Sequence, residues 1–319
     1  MRTASILMLV MVPALCASAT AAAPPMGSWS AAPAMPVARA AHAVAVADGA
    51  LYVLAGTGAD GQPVLEVDRF DGKAWRPEAQ LPGHGLNAPT AAAIGSRIYL
   101  IGGFDTTTNV PTTQVLVYDT RARQWSIAAP LPRPRGGLAA AVLDGRIHVI
   151  GGGNSESTIA DHSVYDPGTD RWSELAPLPR SLGSPAAVVQ DGSLYSLGGR
   201  SGPEDFGMAW RYDAAADRWI GATAIPARGT HGAVSACGTI YVFGGESQPQ
   251  QRVLADVLRL DPARAAWVPV ASLPTPRNFA RAVVFQDAIW VVGGSLSPGS
   301  SHESAGSRVV ERFEPGCRP

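Results

Sequence analysis

Six tryptophans, Trp29, Trp75, Trp125, Trp172, Trp219 and Trp267, follow one another at intervals of 46, 50, 47, 47 and 48 residues. A period near 47 is that of architectures assembled from one supersecondary unit of roughly 40 to 50 residues, each burying its apolar face only against its neighbours. The repetition argues for one domain over 22–319 rather than two.

The third repeat shows what the unit is. Leu131-Pro132, Arg135 and Gly136-Gly137 lead into an apolar run over 138–143, then Asp144-Gly145, Ile147 to Ile150, Gly151-Gly152, Tyr165-Asp166 and Trp172. Short β-rich runs separated by turn residues are strands, and Asp-Gly between two of them supplies the positive φ angles of a tight hairpin. Glycine pairs close the second strand at Gly102-Gly103, Gly151-Gly152, Gly198-Gly199, Gly244-Gly245 and Gly293-Gly294, with Ala55-Gly56 standing in for the first. No helix follows them, so they form no phosphate cradle. The pattern predicts an all-β propeller of six four-stranded blades. The chain ends after a third strand while Trp29 stands alone near the start, so an N-terminal strand should complete the last blade and remove the free edges.

Double glycine, Tyr-Asp, Trp and Leu-Pro with Pro-Arg, repeated over 29–316, resemble the kelch repeat. The resemblance implies a six-bladed kelch β-propeller, a scaffold used by binding proteins and enzymes alike. The chain is also distantly similar to the periplasmic N-acetylneuraminate epimerases, six-bladed kelch proteins that interconvert the anomers of sialic acid. That similarity implies arginines for a carboxylate and a nearby acid/base group.

Arg2, the apolar run over 6–15 and the small residues Ala17-Ser18-Ala19 or Ala19-Thr20-Ala21 read as a secretory signal over 1–21. The run is too short to span a bilayer, and no later segment is long enough. A lipid-attachment reading of Cys16 is weakened by bulky Leu15 before it. Export to the periplasm or beyond would leave Cys237 and Cys317 in an oxidising compartment, on one face of adjacent blades, as a disulfide candidate.

With 25 basic and 26 acidic residues the formal charge is −1, which gives no electrostatic case for nucleic acid. Lys73 is the only lysine and falls in an outer turn, so Schiff-base chemistry is set aside. No metal-ligand spacing and no nucleophile elbow occurs; no cofactor or metal is implied, and a monomer is expected.

The connections carrying Leu-Pro and the loops after the double glycines open on one face, the expected site. Arg39, Arg135, Arg180, Arg228 and Arg277, with Arg281 beyond, are expected to ring the channel mouth and bind a carboxylate, phosphate or sulfate. The second repeat breaks the series with His84. His42 and His231 each follow an arginine by three residues, and His231 with Glu246 could form an acid/base pair if the protein is an enzyme. The leading expectation is an exported binding protein for an anionic glycan, a small anion or an acidic peptide. A carbohydrate isomerase and a protein-interaction scaffold in an envelope complex are the alternatives.

Overall fold

A computed structural model describes residues 27–154, 156–300 and 305–317. The expected leader over 1–21 and the loop residues His302 and Glu303 lie outside these. Among the described residues there is no α-helix, and six four-stranded antiparallel sheets form the blades of a propeller. Their spans are 43–80, 90–127, 139–175, 186–222, 232–272 and, for the sixth, 281–314 completed by Ser28–Ala31, which pairs Trp29 with Phe313. Each blade runs from an inner strand beside the axis to an outer strand beginning near the periodic tryptophan.

Local chemistry explains the unit. Asp144 and Gly145 turn the inner hairpin at φ 50° and 71°, the left-handed pair such a turn demands. In the glycine pair, Gly102 donates its N–H within its blade to Gln114, while Gly103 donates to the Arg135 carbonyl of the next blade. A Cβ on Gly102 would lie 2.6 Å from that same carbonyl, so the close blade-to-blade approach requires glycine there.

The core is distributed between blades. Tyr99 and Ile101 of blade 2 pack against Leu138, Ile147, Val149 and Tyr165 of blade 3, with Trp172 at the edge. The indole Nε1 groups of Trp75, Trp172, Trp219 and Trp267 then donate to carbonyls of the preceding blade, at Pro33, Ala129, Ala176 and Thr223, over 2.8–2.9 Å. Trp125 and Trp29 break this pattern, their buried Nε1 atoms having no partner among the described residues. In both cases the preceding blade carries proline two residues after its own tryptophan, Pro77 and Pro269, and its outer pairing slips at Val67/Asp68 or Val257/Leu258. Proline has no N–H for the ladder; we attribute the slip, and the displaced carbonyl acceptor, to it.

A second set of contacts circles the axis. Ala41, Ala88, Gly137, Ser184, Thr230 and Phe279, one per blade, all have φ between 49° and 61°. The N–H groups of Ala88, Gly137, Ser184 and Phe279 donate to Ala41, Ala88, Gly137 and Thr230 of the preceding blade, over 2.7–3.0 Å. No such bond joins Ser184 to Thr230 or Phe279 to Ala41. Histidine follows the left-handed residue at those two junctions, as His231 and His42. Among the described residues no helix is long and apolar enough to cross a membrane.

Candidate functional site at the axis

The residue after each Leu-Pro connection and the residue after each glycine pair lie side by side, as in Gly229 with Glu246 and Asn278 with Ser295. Here the arginines depart from expectation. Arg39, Arg135, Arg228 and Arg277 are buried, none more than 1% exposed, and each guanidinium is used inside its own blade. Arg39 bonds the Ala55 carbonyl and Asp68, Arg135 the Gly151 and Asp161 carbonyls and Ser163. Arg228 bonds the Gly244 carbonyl and Asp256, Arg277 the Val291 carbonyl and Glu311. They staple the connection to the second and third strands, so the expected ring of free guanidinium groups does not form. Burial draws the Arg135 pKa down to about 10, still far above neutrality.

Blades 2 and 4 replace the staple with apolar residues. Leu86 and Leu182 occupy the arginine position, their carbonyls accepting from Gly56 and Gly152, with Leu116 and Trp210 in the same apolar clusters. Arg180 therefore lies outside the series, 47% exposed, over the Phe206 ring at 3.9 Å and beside Glu204. His84 is exposed and contacts Thr107.

His231 and Glu246 do not meet as an acid/base pair. The His231 ring faces Gly198 of blade 4, where an added Cβ would stand 2.8 Å from Cε1, and neither ring nitrogen has a partner among the described residues. Burial, then Arg228 and Arg281, press its pKa down to about 3. His42 lies in the same way against Gly293 of blade 6, and burial holds it well below its ordinary value. The Glu246 carboxylate instead accepts from Arg200, from Asn278 Nδ2 at 2.7 Å and from the Gly299 N–H at 2.9 Å, tying the loops of blades 4, 5 and 6 together. Asp205 accepts from the Gln248 N–H, and burial raises its pKa.

Arg281 differs from the four stapling arginines in bonding to other blades rather than inside its own. It begins the inner strand of blade 6 and is the one charged residue on the six inner strands. Its Nε donates to the His42 carbonyl at 2.8 Å and its Nη2 to the Pro89 carbonyl at 3.4 Å, reaching from blade 6 to blades 1 and 2. Among the described residues no carboxylate pairs with it, as is also true of Arg135. Burial alone lowers its pKa to about 10, so it stays a cation at neutral pH.

The KLHDC2/KLHL20/DRC7 Kelch-repeats domain family matches residues 25–199, and the Kelch motif matches 227–274. The chain belongs to the kelch-repeat family. Among curated proteins, Kelch-like protein 35 of Mus musculus is 31% identical over 137 residues, 41% of this kelch chain and 23% of the relative. Kelch-like protein terF of Aspergillus terreus is 26% identical over 314 residues, 91% of this chain and 56% of the relative. The chain thus spans a quarter to just over half the length of these relatives. A solved structure described as "Structure of YjhT" shares the fold at a TM-score of 0.74 and 15% identity, over 87% of this chain and 95% of that one.

Two features of the kelch chain escape a reading of its sequence. His148 Nδ1 and His162 Nε2 lie 2.9 Å apart in blade 3, against Tyr212 and Trp219 of blade 4. Burial brings their pKa values down to about 4 and about 3. Asn278 as a Glu246 ligand had no motif to announce it. Cys237 and Cys317 are bonded, joining the inner turn of blade 5 to the segment after the third strand of blade 6. No cluster of three or more His, Cys, Asp or Glu suited to a metal occurs among the described residues.

Proposed function

We propose that this kelch propeller is a binding protein for an anionic ligand, with Arg281 as its anchoring cation. The observation that carries this reading is a guanidinium at the axis whose hydrogen bonds go to two neutral carbonyls of other blades and, among the described residues, to no carboxylate. A cation removed from bulk water without a counter-charge is costly, and an anion from solution relieves that cost. Guanidinium also matches the planar geometry of a carboxylate.

Binding is favoured over isomerisation because the candidate acid/base groups suit proton transfer poorly. His231, at a pKa of about 3, is too weak a base for general acid/base work near neutrality, and Glu246 is occupied by Arg200, Asn278 and Gly299. Export belongs to the same proposal: the N-terminal run over 1–21 reads as a leader, and a disulfide suits an oxidising compartment.

The test is a thermal-shift screen of purified protein with N-acetylneuraminate and glucuronate against neutral sugars, in the wild type and in Arg281→Gln. A ligand at about 100 times its dissociation constant adds about 2.7 kcal/mol, worth several degrees. Acid-specific shifts that vanish in Arg281→Gln are expected. Shifts that persist in the variant, or that neutral sugars match, would defeat the reading.

A further inference from the structure

The six inner strands enclose a bore of about 470 Å³, walled by three consecutive residues from each, such as Val44 to Val46, Ala140 to Val142 and Ala282 to Val284. Its two ends are unlike. At the end formed by the inner hairpin turns the wall opens, and Val284 is 40% exposed. At the opposite end Phe279 packs against Ala40, Ala41, Ala88 and Phe104, buried like those alanines, and Arg281, the residue before Ala282 of the wall, donates to the carbonyls of blades 1 and 2.

The walls are not purely apolar. Every inner strand ends its sheet, so each turns one unpaired edge of N–H and C=O groups toward the bore. Asp48, Asp144, Asp191 and Asp287 stand in the inner turns around the open end, with Arg121 paired to Asp48 and Arg97 and Arg146 starting second strands at the same turns, so the rim carries both signs of charge.

We propose that the ligand compartment is this bore, blind at the Arg281 end and entered between the inner turns, and that its occupant is a compact, hydroxylated monocarboxylate. The single cation takes one carboxylate, the free strand edges take hydroxyls, and the walls limit the ligand to about the size of one sugar. Polymeric uronates and acidic protein segments are excluded by the blind end. The proposal rests on Arg281 as anion anchor, and it moves the ligand to the face opposite the double-glycine loops.

Calorimetric titration of the full protein with glucuronate, N-acetylneuraminate and trigalacturonate tests it, in the wild type, Val284→Trp at the open end, and Arg180→Trp on the opposite face. The bore predicts binding of a monomeric acid, a loss of at least about tenfold in Val284→Trp, no change in Arg180→Trp, and no binding of the trimer. Trimer binding as tight as monomer binding overturns it whether or not Val284→Trp folds. If Arg281→Gln abolishes acid binding while Val284→Trp binds like wild type, the anion anchor stands and the bore falls. If no acid binds the wild type, both fall.

Discussion

The junctions between blades 2 and 3 and between blades 3 and 4 are joined twice, by a tryptophan indole at the rim and by a backbone bond at the axis. The other four have one of the two. Blades 1–2 and 5–6 lack the indole bond but keep the axial one, whereas blades 4–5 and 6–1 keep the indole and lack the axial bond. No junction lacks both, so one period in sequence produces a ring of unequal seams. The seams without an indole bond have other ties. Glu78 of blade 1 accepts from Tyr118 and pairs with Arg123 across the first, and Cys237–Cys317 bridges the other.

Acid should separate the two kinds of seam most strongly. His42, His231 and the His148–His162 pair sit at junctions 6–1, 4–5 and 3–4, all with an indole bond, and all four are held neutral by burial. Their folded pKa values lie below the unfolded value near 6.5, so the unfolded chain binds more protons below that pH. Stability is therefore complete above about pH 6.5 and lost as pH falls towards 3 to 4. Each imidazole contributes up to about 1.4 kcal/mol per pH unit. Thermal unfolding between pH 7.5 and 4.5 should show a steep loss; a flat profile would mean the imidazoles are not buried as described.

Reduction should act on the 5–6 seam alone. The disulfide closes 80 residues, for which chain entropy predicts about 4.5 kcal/mol. Reductant, or Cys317→Ser, should lower the melting temperature by several degrees and raise amide exchange first in blades 5 and 6. Uniform exchange across all blades would argue against unequal seams.

The smallest effect is the sharpest comparison. Trp172→Phe removes a formed hydrogen bond and should cost about 1 kcal/mol beyond the loss of packing, whereas Trp125→Phe removes only a buried N–H without a partner and should cost nothing on that account. Equal destabilisation of the two in denaturant titrations would reject the indole bond as a discriminating feature.

The seams were partly legible in the sequence. The tryptophan period, the glycine pairs and the Asp-Gly turns encode blade geometry directly, because each answers a local backbone demand. The Trp-x-Pro segments at Trp75 and Trp267 were also visible, and they mark the slipped outer strands. The site was less legible because its side chains are used across the chain. Arg180 stands two residues after Leu178, whereas Arg135 and Arg277 stand four after Leu131 and Leu273; that offset separates a solvent-facing arginine from a staple. His231 and Glu246 share a repeat, yet one faces the gap to blade 4 and the other the loops of three blades. Arg281 could be placed near the axis, but its lack of a carboxylate partner is a property of five other strands.

Completion of the sixth blade by Ser28–Ala31 sets a schedule for making the protein. Ala31 pairs with Glu311, so a strand synthesised before the other blade strands is among the last used, and at typical elongation rates it waits roughly 15 to 60 s for its partner. Until then five blades stand as an open arc with a sticky edge at each end, and Cys237 has no Cys317 to meet. Such a chain gains its final form in one late closing event, and whatever shields it before that moment governs how much of it survives.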